Sequence, residues 1–409
     1  MLRFLTAGES HGPQLTAILD GMPAGLPLTA DDIDRDLARR QVGYGAGPRM
    51  KIESDRARLT GGVMAGQTTG APIAIAIDNL DYEHWKDRDI PPMTIPRPGH
   101  ADLTGAIKYG YRDLRLALER ASARETAART AVGAICRKFL KAFGVEVGSY
   151  VTAIGSVAIE PSLEARIEPS VETRIEPSVE ARIPMRAYLD RFAQAGQSEM
   201  RCPDAAASEK MRAEIRMAIE AKDTLGGVIE VVALDVPPGL GSHAQWDRRL
   251  SGRLIGALAS VHAMKGVEIG QAFENARQRG TRVHDEMHLD EDGQVARRTN
   301  RSGGFEGGIT TGEPIVLRVA MKPISTTLNP LRSIDLASGK ETHTNYERSD
   351  FCAVPRAGVI LEAMLAFVLA DALIEKLGGD SLNEMRPRFE SLRRARLEDL
   401  VMDNVVWRF

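Results

Sequence analysis

Gly61-Gly-Val-Met-Ala-Gly-Gln-Thr-Thr-Gly-Ala-Pro-Ile73 returns at a constant offset as Gly303-Gly-Phe-Glu-Gly-Gly-Ile-Thr-Thr-Gly-Glu-Pro-Ile315. Upstream of each copy, Pro23-Ala-Gly-Leu26 has an echo in Pro237-Pro-Gly-Leu240. Allowing one gap, Thr29 then faces Ser242, and Asp34, Arg35, Leu37 and Arg40 face Asp247, Arg248, Leu250 and Arg253. Both matches run in the same order: turn, capped helix, glycine loop, strand. The pattern predicts an internal duplication of a β-α-β unit and a pseudo-symmetric α/β core, with the active site between the halves. Convergent loop chemistry is the alternative reading.

Working outward, residues 1–22 read as a strand, a Gly8-Glu-Ser-His-Gly12 loop and a second strand around Leu15–Leu19. Thr29 with Asp32 three residues on opens a helix through Arg40 in the manner of a capping box. Gln41 to Arg49 is a glycine loop; strands follow near Lys51–Ser54 and Ala71–Ile77. After Gly110, Leu114, Leu118, Ala121, Ala128, Val132, Ile135, Phe139 and Phe143 recur at helical steps, which predicts one long helix with one buried stripe. Further helices are expected over 210–222, 250–264 and 356–376, and strands over 228–234 and 315–320. Glu160-Pro-Ser-Leu-Glu-Ala-Arg-Ile167 recurs as 168–175 and 176–183, and proline every eight residues blocks a long helix. This stretch reads as a low-complexity insertion within a single domain spanning 1–409.

At 43% apolar residues the chain has ample material for a core. No apolar run approaches the ~20 residues of a membrane span, and the N-terminus meets Glu9 too soon for a signal peptide. Cys136, Cys202 and Cys352 are too few for a disulfide framework or a zinc site, so a reducing cytoplasm is expected. The net charge of −3 lacks the domain-wide basic bias of a nucleic-acid binder. Arginines are instead locally dense, which suggests a small anionic ligand.

Pro96-Arg-Pro-Gly-His-Ala-Asp102 presents His100 in a Pro/Gly-rich loop, with Asp102 placed to cap the next helix. Arg120 and Arg124, one turn apart on the expected helix, share a face. Arginine forks hold phosphate and carboxylate, and a histidine delivers a proton to a leaving group. His11 lies in a turn whose two glycines permit close approach of a ligand. The Gly303–Gly308 loop, with Lys322 and Thr326 downstream, suggests a phosphate-bearing ligand such as flavin mononucleotide. His284 and His288 enclose Asp-Glu-Met, which is not the zincin arrangement, so no metal is expected.

Gly8-Glu-Ser-His-Gly12, Arg39-Arg-Gln41 with Gly43-Tyr-Gly45, Pro96–Asp102, Ala123-Arg-Glu-Thr126, Gly303–Gly308, Met321-Lys-Pro-Ile324 and Arg348-Ser-Asp350 together resemble chorismate synthase, from Leu5 to about Leu377. The resemblance implies a β-α-β sandwich assembled as a homotetramer. It implies anti-1,4-elimination of phosphate from 5-enolpyruvylshikimate 3-phosphate, giving chorismate, with reduced FMN required but no net redox change. Carried over by position, His100 protonates the departing phosphate, His11 stands at the flavin N1/C2 carbonyl edge, and Asp350 passes on the proton from N5. Arg40, Arg49, Arg124 and Arg348 hold the substrate, with Arg39 close by. The FMN site comprises Arg120, Ala121, Ser122, His262, Ala263, Gly307, Lys322, Pro323, Ile324, Ser325 and Thr326, with Arg348 at its edge.

Three positions depart from the family pattern. Ala46 replaces a common loop arginine and weakens NADPH binding there, which leaves NADPH only as a source of reducing equivalents. His262 replaces an asparagine, and Ser325 a proline. The rival readings are a flavin oxidoreductase acting on an anionic substrate, and a non-catalytic anion-binding module.

Overall fold

The computed structural model describes residues 1–47, 53–159, 184–347 and 349–408; the octapeptide run, Arg49 and Arg348 lie outside them. The chain opens with β1 (Arg3–Ala7) and β2 (Gln14–Asp20), then α1 (Ala30–Gln41) and β3 (Ala57–Gly61). A small hairpin of β4 (Val63–Met64) and β5 (Gln67–Thr68) precedes β6 (Ile73–Asp78). These build a sheet in the order β1-β2-β6-β3. Next come α2 (Asp102–Tyr109), α3 (Arg115–Ala121), α4 (Thr126–Lys141), β7 (Glu146–Ile154) and β8 (Val157–Ala158). Then α5 (Met185–Gln197), α6 (Ala205–Glu220), β9 (Gly227–Leu234), α7 (Leu250–Ala259), β10 (Met264–Ile269) and α8 (Ala272–Asn275) follow.

Three further hairpins are β11 (Met287–Leu289) with β12 (Val295–Arg297), β13 (Phe305–Glu306) with β14 (Ile309–Thr310), and β16 (Arg332–Asp335) with β17 (Lys340–His343). β15 (Ile315–Met321) completes a second sheet, β10-β15-β9-β7-β8, and α9 (Val354–Leu377) and α10 (Leu382–Glu390) close the chain.

The two sheets share a strand plan. Each has a β2- or β9-type strand beside the strand that follows the glycine hairpin. All pairings between these strands are antiparallel, so neither half contains a parallel β-α-β unit. Matched threonines tie each hairpin to its turn. Thr68 Oγ1 donates to Pro23 O at 2.6 Å and accepts from Leu26 N at 3.0 Å. Thr310 Oγ1 donates to Pro237 O at 2.7 Å and accepts from Leu240 N at 2.9 Å.

The correspondence ends at the helix start. Thr29 leads straight into α1, and Asp32 reaches back to the Thr29 N–H at 2.9 Å. Ser242 caps no helix; α7 begins at Leu250 after a short 3-10 turn over Trp246–Arg248.

Other expectations also shift. Glu53 and Ser54 form no strand; it lies at Ala57–Gly61. The helix expected over 250–264 ends at Ala259, because the chain must turn into β10. The single helix expected after Gly110 is broken, with Ser122 in an extended conformation (φ −67°, ψ 143°) between α3 and α4. Its stripe is nevertheless buried from Leu114 to Phe143, apart from the half-buried Ala121.

Helix α4 packs against α9, the first sheet and β7, while α9 also packs on β7 and β9 of the second sheet. Among the described residues, α9 is the one helix long and apolar enough to cross a membrane, and it is buried within the protein. A helix that is apolar all round needs neighbours on every side. Gly133 permits the close approach of α4, since a Cβ there would lie 2.1 Å from Ala363 Cβ.

Glu362 is fully buried in α9. Ser149 Oγ donates to it at 2.7 Å and Arg39 Nη2 at 2.9 Å, with Arg137 and Arg201 at 3.4 and 3.6 Å. Burial pushes its pKa up, but the three guanidiniums prevail and bring it to about 2. This lies below the ordinary 4.5 of glutamate, so Glu362 contributes stability above pH 4.5 and loses it as pH falls toward 2.

Gly133→Val is expected to force α4 from α9 and cost roughly 1–3 kcal/mol in denaturant unfolding. Glu362→Gln leaves three half-buried guanidiniums short of a counter-charge. It should cost roughly 3–5 kcal/mol at neutral pH, and stability measured against pH should lose this group's contribution to the acid-side decline.

Candidate active site

Gly8 allows the first loop to turn, because its φ of +110° and a Cβ position 2.4 Å from Gln14 O exclude a side chain. Ser10 N then donates to Glu119 O at 3.1 Å. The Glu119 carboxylate takes His11 N and His11 Nδ1, both at 2.8 Å. Burial would raise the Glu119 pKa, but the His11 hydrogen bonds and charge outweigh it and lower the value. Trp85 lies on the imidazole with ring centroids 4.2 Å apart. Asn79 Nδ2 holds the loop from below through Gly12 O at 2.7 Å.

His100 is oriented more tightly still. Asp102 does not cap α2; it is the first helical residue, and its buried carboxylate turns back onto the loop. It accepts from Arg97 Nε at 2.8 Å, Arg97 Nη2 at 2.9 Å and Arg97 N at 3.0 Å, and meets His100 Nδ1 at 2.7 Å. Burial pulls its pKa up, yet hydrogen bonds from Arg97 and His100 hold it well below the usual carboxylate range. Nδ1 also lies 3.1 Å from Arg97 Nη2, but the carboxylate is the nearer partner and can only accept, which favours a proton on Nδ1; Nε2 has no hydrogen-bond partner among the described residues. Arg97 Nη1 continues to Thr326 Oγ1 at 3.2 Å, and Gly99 faces Ser325 and Lys322.

The break at Ser122 ties the His11 loop to the arginine set. Ser122 Oγ accepts from Ser10 Oγ at 3.0 Å. Arg120 Nη2 donates to Thr6 O at 2.9 Å, and Thr6 Oγ1 donates to Glu125 at 2.7 Å. Arg124 is buried, giving Nε to Asn79 Oδ1 and Nη1 to Asp55 Oδ1 at 2.7 and 2.6 Å. Arg40, also buried, reaches the other Asp55 oxygen at 3.4 Å and binds Thr126 Oγ1 and Ala123 O. Lys322 N donates to Ala263 O at 3.0 Å, and Thr224 Oγ1 to Ile324 O at 2.7 Å, which anchors the 322–326 turn.

His262 Nδ1 is buried with no hydrogen-bond partner among the described residues. Burial lowers the His262 pKa against the pull of Glu125, and Arg129, His100 and Arg120 lower it further. Burial, with Lys265, likewise lowers Lys322, whose amine meets the neighbouring Pro323 O at 3.3 Å. Two cations, the Ser122 and Thr326 hydroxyls and an orphaned ring nitrogen form a donor set that fits a phosphate-bearing flavin.

Asp350 accepts from Gly47 N at 2.7 Å and pairs with Arg356. Burial, with Arg40 nearby, lowers the Arg356 pKa to about 9. Arg39 is not brought to this group, since its guanidinium is held by Asp36 and Glu362. Gly307 forms the β13–β14 turn beside His243, and Ala121 ends α3 next to Ser122. Sequence reasoning missed Glu119, Asp55, Asn79 and Arg356. Glu119 stands directly before Arg120 of the expected flavin site; the others carry no local signal.

A family model described as chorismate synthase matches residues 2–374. The chain is 52% identical over 398 residues to a chorismate synthase of Aquifex aeolicus, covering 95% of this chain and 96% of that one. It is 50% identical over 404 residues to one of Pelodictyon phaeoclathratiforme, covering 97% and 98%. A crystal structure of a chorismate synthase shares the fold, with TM-score 0.75 at 46% identity over 95% of this chain and 96% of that one. With end-to-end similarity at this level, the chain belongs to the chorismate synthase family, lyases that eliminate phosphate from 5-enolpyruvylshikimate 3-phosphate to give chorismate.

Proposed function

We propose that this elimination takes place at the Ser122 junction, with His100 as the acid that serves the departing phosphate. The arrangement of Asp102 carries this reading: it fixes the His100 tautomer and leaves Nε2 as the ring position that can reach a ligand. Arg97, bonded through Nε, Nη2 and its backbone N–H, holds Asp102 in turn. His11, fixed by Glu119, keeps a proton available at the flavin edge. Arg40 and Arg124, held rigid by Asp55, Thr126 and Asn79, present preorganised positive charge to the substrate's carboxylates and phosphate, together with Arg49 and Arg348. Asp350, paired with Arg356, relays a proton.

The flavin is reduced FMN, held by Arg120, Ser122, His262, Ala263 and the Lys322–Thr326 turn. When bound it would supply reversible electron donation to the substrate, the chemistry that lets phosphate leave with no net redox change. NADPH serves only as a source of reducing equivalents.

The fold reading is a pseudo-duplicated β-α-β sandwich, supported by the paired Thr68 and Thr310 hydrogen bonds and the shared strand plan. The enzyme is a cytoplasmic homotetramer. Leu5 and Ile18, opposite each other in β1 and β2, are 74% and 42% exposed and offer an apolar contact for another copy.

An anaerobic assay with reduced FMN should release chorismate and phosphate in equal amounts while the flavin stays reduced. His100→Ala is expected to lower kcat by about 10²–10⁴, and Asp102→Asn to lower it while the substrate's KM changes little. No chorismate from folded, flavin-loaded protein would overturn the assignment. Sedimentation should give four copies, and Ile18→Lys should shift the protein to smaller species.

A further inference from the structure

We infer that the side of α1 facing away from Arg40 carries a second anion site, built from Arg35, Arg39 and Arg201, for a small organic dianion. A cavity of about 260 Å³ opens there, with Ser198, Ala38 and Val42 also in its wall. Behind it, five cations share three carboxylates. Lys138 and Arg35 share Asp32, the latter at 3.7 Å. Arg39 and Arg137 share Asp36 at 2.7 and 2.6 Å. Arg39, Arg137 and Arg201 converge on Glu362 at 2.8, 3.4 and 3.6 Å. Within this set the cations outnumber the carboxylates by two. Glu199, the exposed acidic group in the wall, pairs with Arg212 at 2.8 Å, which also meets Glu209 at 3.6 Å.

Arg201 is where the shortfall is felt. Its guanidinium makes no hydrogen bond among the described residues, and its Nε is buried without a partner. Its backbone sits at φ +53°, a left-handed conformation costly for a residue with a side chain. Burial, together with Arg39 and Arg137, lowers its pKa against the pull of Glu362. An anion in the cavity supplies the missing counter-charge and satisfies the stranded donor, as charge-assisted bonds to guanidinium do. Ala38 and Val42 then meet the apolar part of the ligand. The chemistry asked for is two negative charges on a small partly apolar body, as in a phosphate monoester or an aromatic dicarboxylate.

The test is calorimetric titration of the full-length protein at low ionic strength with phthalate, and in parallel with inorganic phosphate. One saturable site for either probe should weaken about tenfold in Arg201→Gln and again in Ala38→Trp, which fills the cavity without changing a charge. Arg35→Gln, at an exposed position, serves if Arg201→Gln does not fold. All three variants should keep the KM and kcat of chorismate formation. Stronger binding of phthalate than of phosphate would assign the dicarboxylate class, and the reverse the phosphate class. No binding to folded protein, or binding equal in wild type and Ala38→Trp, would overturn the site whether or not the catalytic reading holds.

Discussion

Much of what surrounds His11 and the buried arginines depends on one residue leaving the helical conformation. Had the run from Arg115 to Lys141 stayed continuous, Arg120 and Arg124 would lie on one face of a straight rod. Ser122 is extended instead, and its hydroxyl accepts from Ser10 Oγ and, at 3.4 Å, from Arg124 N. The interruption sends Arg120 toward Thr6 while Arg124 turns inward to Asn79 and Asp55. Thr126 then starts the next helix and also receives the Arg40 guanidinium. One broken turn thus serves β1, the first glycine loop, α1 and both halves of the arginine set.

The second organising constraint is the matching of buried charge. Arg124 and Arg40 share Asp55, Arg97 is matched by Asp102, and Glu119 and Glu125 are drawn down by His11 and Arg129. Charges this far from water are tolerated only where opposite charge and hydrogen bonds meet them. A guanidinium held on several sides does not need to reorganise when a ligand arrives, which is the property a site for a multiply charged substrate requires.

Much of this could be read from the chain, and the remainder has a physical reason for being hidden. Period and punctuation located β1, β2, α1, β9 and α9 closely, since each has a buried face and a turn at its end. The Ser122 break was invisible because the apolar stripe continues through it; Leu118 and Ala128 are both buried. Asp102 was assigned to capping from its place before a helix, but an adjacent arginine and histidine offered it stronger partners. Asp55 and Asn79 act through contacts with residues far along the chain, which no local spacing encodes; Arg356 pairs with Asp350 six residues before it, at a spacing that no motif marked. The grouping of His11, His100 and the 322–326 turn rests on motif resemblance; in the structure Arg97 joins the His100 loop to Thr326, while His11 is held separately by Glu119.

The helix against which α4, α7 and the second sheet all pack is made after every one of them. When residues 1–350 have left the ribosome, the face of α4 around Gly133 and the inner sides of β7 and β9 still lack their cover. Neither half can therefore settle independently as it emerges, and a long apolar surface waits for α9. Stalling or truncation before residue 354 would release a chain with its secondary structure largely specified and its centre missing. For this protein the hazard of synthesis is concentrated in the interval before α9 emerges, when quality-control factors would meet an uncovered apolar surface.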